Sequence, residues 1–298
     1  MSFAKAFPNL RTVAVRSVAV AALGLALAGC DTLSSMNPFD KAEVYKPEIV
    51  PEVPAEQIYN QALARLQKSD YEGAAKKFED LDKQYPYSEW SRKALIMTAY
   101  SHYEGQAWED AITASKRYLQ LHPSSKDAAY AQYLMAVSHY NQIPDVSRDQ
   151  DRSERALLAL QELVERYPKS EYVADARYKM QVARDQLAGH QMEVGRFYLK
   201  KRNYTGAVNR FRDVVAKYQT TRHVEEALMR LTEAYFAMGI VAEAQTAAAV
   251  LGHNFPDSPW YKDAHALVVS NGLQPREDTG SWISRALKGS GVAVRLPG

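Results

Sequence analysis

Cysteine is almost absent: one thiol, Cys30, stands in a chain of 298 residues. No intramolecular disulfide can form, so packing alone must hold the fold. Glycine and proline are not enriched, and no stretch shows the period-two alternation of a half-buried strand. An almost entirely α-helical protein is the expectation. The formal charge is only +2, so the whole-molecule balance argues for neither nucleic acid nor an acidic substrate. A glycine-rich phosphate loop and a serine nucleophile elbow are both missing. Seven histidines are scattered (His102, His122, His139, His190, His223, His253 and His265), none in a zinc-protease helix motif and none beside a cysteine pair. His102 and His139 lie 37 residues apart, which suits one structural place repeated twice. Carboxylates such as Glu162, Glu165, Glu225 and Glu226 fall on solvated helical faces. No catalytic residue, metal or cofactor is therefore expected.

What is present is a repeat. An alanine and a proline twelve residues apart recur as Ala74/Pro86, Ala111/Pro123, Ala156/Pro168 and Ala244/Pro256; Ala207 has Gln219 in the proline slot. An aromatic residue precedes three of the alanines (Tyr71, Trp108, Tyr204), and an apolar residue follows four later in four copies (Phe78, Leu160, Phe211, Ala248). Ser88, Ser125, Ser170, Thr221 and Ser258 come two residues after the proline slot. An aromatic opens a helix, a small residue lets it pack closely, proline ends it and a hydroxyl caps the next. That is the grammar of the tetratricopeptide helical hairpin, whose period is about 34 residues. The observed spacings are 37, 45, 51 and 37 residues. The first long gap holds a polar, turn-rich insertion at 143–150. The second adds helical sequence at 170–201, with Val173, Ala176, Met180, Ala183 and Leu187 at helical spacing. That segment is expected to form one long helix or one broken at Gly189 or Gly195. The predicted architecture is an all-α, tetratricopeptide-like solenoid of about five repeats. Repeats 1–3 fill 55–169, and 170–272 carries repeats 4–5 with the long connecting helix and a closing helix. Residues 273–298 show no sustained period and are expected to be a disordered tail, the alternative being a short amphipathic patch at 282–287 that docks.

The first 29 residues are expected to be a signal peptide. Lys5, Arg11 and Arg16 precede an apolar run at 18–28, which is shorter than the roughly 20 residues a spanning helix needs. The run ends Leu27-Ala28-Gly29-Cys30, the pattern of a bacterial lipobox. Cleavage would leave Cys30 as an acylated N-terminus, where two or more chains anchor stably and one does not. The alternative is a plain secretory signal with a chance cysteine. Asp31 bears on sorting between membranes. Residues 30–54 contain Pro38, Pro47, Pro51 and Pro54 and read as an extended tether.

An open solenoid offers an extended surface suited to polypeptides. Tyrosine is abundant, 19 in all, and Tyr100, Tyr103, Tyr130 and Tyr133 fall on the first helices of repeats. Such rings either pack between helices or line a binding groove; the sequence leaves both open.

Taken together, lipobox, proline tether, repeats and long connector resemble the BamD family of the ComL/YfiO type, lipoproteins of the outer-membrane β-barrel assembly machinery. The resemblance is carried by Gln84-Tyr-Pro-Tyr-Ser-Glu-Trp90, Asp127-Ala-Ala-Tyr-Ala-Gln-Tyr133, Arg184-Asp-Gln-Leu-Ala-Gly189 and Gly195-Arg-Phe-Tyr-Leu199. Arg222-His-Val-Glu-Glu-Ala-Leu228 and Leu251-Gly-His-Asn-Phe-Pro256 are similar to the alphaproteobacterial branch. The resemblance implies a non-enzymatic subunit on the periplasmic face of the outer membrane. Its C-terminal repeats would hold the barrel-forming (BamA-like) subunit beside accessory assembly lipoproteins. Its N-terminal repeats would receive unfolded outer-membrane proteins, through Tyr100, Tyr103, Tyr130 and Tyr133. Arg210 looks like the family's barrel-subunit contact, unless it only solvates a helix face. Apart from this family, a periplasmic repeat lipoprotein that coordinates cell-wall synthesis with division has a similar organisation.

Overall fold

The computed structural model describes residues 53–288, and the signal, tether and Cys30 expectations lie outside them, as does the tail beyond 288. Among the described residues there are twelve α-helices and no strand. Five antiparallel hairpins follow one another. They are α1 (Ala55–Gln67) with α2 (Tyr71–Gln84), α3 (Glu89–Glu104) with α4 (Trp108–Leu121), and α5 (Ala128–Tyr140) with α6 (Asp151–Arg166). Then come α7 (Val173–Lys200) with α8 (Tyr204–Lys217) and α9 (Val224–Ala237) with α10 (Val241–Asn254). A closing helix, α11 (Pro259–Ser270), and a short one, α12 (Trp282–Lys288), complete the stack. Each helix packs chiefly on its neighbours in sequence, as expected of a solenoid. The described residues, 53–288, lie in one compact unit that contains every described core residue.

The repeat alanines explain the hairpins. Ala74, Ala111, Ala156, Ala207 and Ala244 are all fully buried. Phe78, Leu160, Phe211 and Ala248, four residues on, are fully buried as well. The predicted openers Tyr71, Trp108 and Tyr204 are the first residues of their helices. Asp70 and Asn203 cap α2 and α8, accepting from the backbone N–H of Gly73 and Gly206 at 3.0 Å. Ser88 caps α3 in the same way through Ser91 N–H at 3.0 Å, and Ser258 accepts from Trp260 N–H at 3.2 Å with Pro259 in the first turn. Ser125 and Ser170 act one turn earlier than expected. They accept from Asp127 and Tyr172 N–H at 3.3 Å, so α5 and α7 start at Ala128 and Val173. Gln219, in the proline slot, donates to Ala216 C=O at 2.8 Å and to Ala286 C=O at 3.4 Å. It thus covers one orphan carbonyl at the end of α8 and ties α12 to it.

The long segment is a single unbroken helix of 28 residues. Its glycines serve close packing, with no break at either. A Cβ at Gly195 would collide with the Phe211 ring, 2.9 Å from Cδ1. A Cβ at Gly189 would sit 3.1 Å from Val146 Cγ2 and 3.3 Å from His223 Nε2. The roughly 1 kcal/mol that glycine costs a helix relative to alanine is offset by these contacts. The insertion docks on the same stretch: Gln186 donates to Pro144 C=O at 2.7 Å, and the His190 ring meets Val146 C=O at 2.7 Å.

The expected disordered tail is corrected for residues 273–288. They fold back over α8 and α10 and end in α12. Ile283 is fully buried and Leu287 nearly so. Trp282 Nε1 donates to the Tyr235 hydroxyl at 3.2 Å, its ring lies 5.2 Å from the Arg212 guanidinium, and Ser281 donates to Glu243 at 2.6 Å. A seven-residue helix is too short to show a period, and its stability comes from these long-range contacts.

One buried charge ties the first two repeats. Asp82, 5% exposed, accepts from Ser91 Oγ and from Arg117 Nη2, each at 2.5 Å. Three successive helices thereby meet at one carboxylate, which the two donors keep satisfied.

The close approach at the alanines predicts a stability difference. Ala111→Leu should overpack α4 against its neighbours and cost about 1–3 kcal/mol. Ala216→Leu, on the exposed face of α8, should cost almost nothing. Thermal melts followed by circular dichroism measure both, and equal midpoints would contradict the packing described.

Candidate functional site: a tyrosine-lined surface on the first three repeats

Tyr100 and Tyr103 lie on α3, Tyr130 and Tyr133 on α5. The register of neighbouring first helices brings the four to one place, with a fifth ring. Tyr172, at the start of α7, stacks on Tyr133 with centroids 4.7 Å apart and lies 5.5 Å from Tyr130. Tyr103 meets Trp108 edge-on at 5.5 Å. The Tyr133 hydroxyl donates to Asp175 at 2.9 Å, and Asp175 is held in turn by Lys179 at 2.6 Å. All five tyrosines are half-buried. Each ring packs against a neighbour and still shows solvent an edge.

Burial sets the chemistry of these phenols. It is the main cause that pushes Tyr130 and Tyr133 far above the ordinary tyrosine range. Neighbouring Tyr100 and Tyr172 add to the shift at Tyr130, and the hydrogen bond to Asp175 adds to it at Tyr133. Tyr100 rises through burial first and Glu104 second. At neutral pH the hydroxyls of Tyr100, Tyr130, Tyr133 and Tyr172 stay protonated, uncharged donors and acceptors on apolar rings. Such a surface can bury apolar side chains and hydrogen-bond an extended backbone.

At one end the cluster opens into a cleft of about 550 Å³. Tyr130, Tyr167 and Tyr172 line it, and its rim mixes Lys126, Arg166 and Lys169 with Asp127 and Glu171. Tyr172 and Asp175 were missed from sequence. The only signal was positional: Tyr172 follows Ser170 as Asp127 follows Ser125, and so marks the start of a first helix.

The first helices of the C-terminal half carry Tyr178, Tyr198 and Tyr235 and, beside them, a network of ions. Arg196 on α7 pairs with Glu226 on α9 at 3.0 Å. Arg230 pairs with Glu226 at 3.4 Å and with Glu233 at 2.9 Å, and stands 5.4 Å over the Trp260 ring. Arg210 lies on α8, a second helix, apart from the tyrosines. It is half-buried, and its Nη1 donates to Gln191 Oε1 on α7 at 3.1 Å. Among the described residues it makes no ion pair. Its placement is intermediate between a solvated side chain and a buried one.

His139 and His223 are both pushed below the ordinary histidine range, first by burial. Nearby Asp185 works against that shift at His223, 3.7 Å away. Among the described residues no group of three or more potential ligands could hold a metal ion, and no helix is long and apolar enough to cross a membrane.

Comparison with known proteins identifies a family. Residues 51–251 match the family YfiO, described as outer membrane lipoprotein. The outer membrane protein assembly factor BamD of Caulobacter vibrioides is 42% identical over 270 residues, covering 90% of this chain and 84% of that protein. The protein of the same name from Rickettsia prowazekii is 38% identical, covering 84% of this chain and 95% of its own. That of Neisseria meningitidis serogroup A is 34% identical, over 81% and 92%. The chain belongs to the BamD family of outer membrane lipoproteins.

Proposed function

We propose that this chain is a non-enzymatic subunit of the outer-membrane β-barrel assembly machinery, fixed by lipid at Cys30 to the periplasmic face of the outer membrane. It scaffolds the barrel-forming subunit and accessory lipoproteins through its C-terminal repeats. It receives unfolded outer-membrane proteins on its N-terminal ones. Family membership supports the assembly role. The observation that carries client binding is the junction of Tyr100, Tyr103, Tyr130, Tyr133 and Tyr172 on three successive first helices. Rings offer contact area at low entropic cost, and the neutral hydroxyls can satisfy an extended backbone. An unfolded segment loses entropy on binding, so the affinity should be modest, on the order of micromolar. Modest affinity suits a client that must be released.

The anchor is tested by Cys30→Ser, which should leave an uncleaved or mislocalised precursor. A mature protein that starts beyond Asp31 and fractionates as soluble would refute lipidation.

A photocrosslinking residue at Tyr103 or Tyr130 should capture outer-membrane protein precursors in cells, while one at Glu225 should not. Equal capture at all three sites would sink the groove and leave the scaffold standing.

Arg210→Glu reverses the charge beside Gln191 and should abolish co-purification of the barrel-forming subunit, with an unchanged circular dichroism melt. Undiminished co-purification would remove Arg210 from the interface.

A further inference from the structure

The stretch from Val194 to Arg212 contains six cations and no carboxylate. Three of the six are engaged: Arg196 by Glu226, Arg210 by Gln191 and Arg212 by the Trp282 ring. Lys200 and Arg202 are not, and Lys201 meets only the Phe197 ring one turn back. They fill the end of α7 and its turn into α8, they are exposed, and none makes an ion pair among the described residues. Phe197 stands beside them, 57% exposed, with Lys201 Nζ 5.9 Å from its ring centroid.

The next turn of the same kind adds apolar surface. Helices α7 and α9 are both first helices of hairpins, so their C-terminal turns point to one edge of the solenoid. The α9–α10 turn exposes Ile240 at 39% and Val241 at 38%. The N-terminal half does not share this character. Its α1–α2 turn is polar and closed by an Arg65–Asp70 bridge at 2.8 Å, and neither that turn nor the α3–α4 turn exposes a large apolar side chain. Among the described hairpin turns, the α7–α8 turn joins exposed cations without an ion pair to an exposed aromatic, and the α9–α10 turn adds exposed apolar residues without a cation.

We infer that this edge docks on a membrane surface rich in anionic phospholipid. The chemistry fits on both counts. Lysine and arginine near such a surface gain favourable energy from its negative potential. An aromatic and two aliphatic side chains on protruding turns can enter the headgroup boundary without opening the fold. A deep protein pocket for these side chains would require a partner shaped around two separate turns, whereas a lipid surface needs no such shape. Contact at this edge would hold the C-terminal repeats near the bilayer independently of any anchor at the other end of the chain.

The compact portion, residues 53–298, is the right reagent because it lacks the acylated cysteine and retains the whole core. It should cosediment with phosphatidylcholine vesicles doped with phosphatidylglycerol, and hardly at all with phosphatidylcholine alone. Raised salt should weaken the binding. The triple variant Lys200→Glu, Lys201→Glu, Arg202→Glu should lower partitioning by about tenfold or more. Phe197→Ser should lower it at unchanged charge. Thermal melts should match the parent, since all four side chains are exposed. Equal binding to both vesicle types would overturn the inference, as would unchanged partitioning of the triple variant. If the fragment binds neither vesicle and the full-length triple variant loses a protein partner in detergent extracts, the edge serves an acidic protein surface and the lipid assignment fails.

Discussion

The close approach of each helix pair at a buried alanine is the constraint on which the rest depends. With a single cysteine and no metal cluster among the described residues, side-chain packing, helped by polar ties such as Asp82–Arg117, holds one hairpin to the next. Alanine gives the least side chain that still favours a helix, so neighbouring backbones come near and the larger Phe78, Leu160 and Phe211 fill the space one turn on. The same spacing sets the register of the first helices, and therefore which residues meet across repeats. Tyr130 and Tyr133 reach Tyr172 only because α5 and α7 sit side by side in that register.

Much of this was legible from residues alone, because the signals are local and repeated. Helix openers, caps, the small residue and the stop each occupy a fixed offset, so an error in one copy is corrected by the others. Non-local features escaped. Residues 273–288 have no period of their own and are ordered by Tyr235, Glu243 and Gln219, up to 67 positions away. Gly189 and Gly195 read as possible breaks because glycine is a weak helix former. Their reason is Val146, His223 and Phe211, which sequence does not place beside them. Of the site, the four tyrosines were readable from the repeat register. Tyr172 and Asp175 were not, since they lie where the period is interrupted.

The two halves share a backbone plan and differ in the chemistry of the first helices. Half-buried phenols in the N-terminal half present apolar edges with weak directional demands. The Arg196, Glu226, Arg230 and Glu233 network in the C-terminal half is already satisfied internally. A partner there would meet charges that are partly exposed and already paired with one another. That favours a defined folded partner over an unfolded one.

Half-burial of the tyrosines also bears on release. A fully buried ring would have no surface to offer, and a fully exposed one would have to be ordered by the client at an entropic cost. Here stacking on Tyr172 and the Tyr133–Asp175 hydrogen bond order the rings beforehand. In the proposed role a client would cover only the remaining edge, a small area for each ring. Binding energy would then be spread over several shallow contacts of similar size, and such a client could be peeled away stepwise, since no single contact would have to break at the cost of the whole.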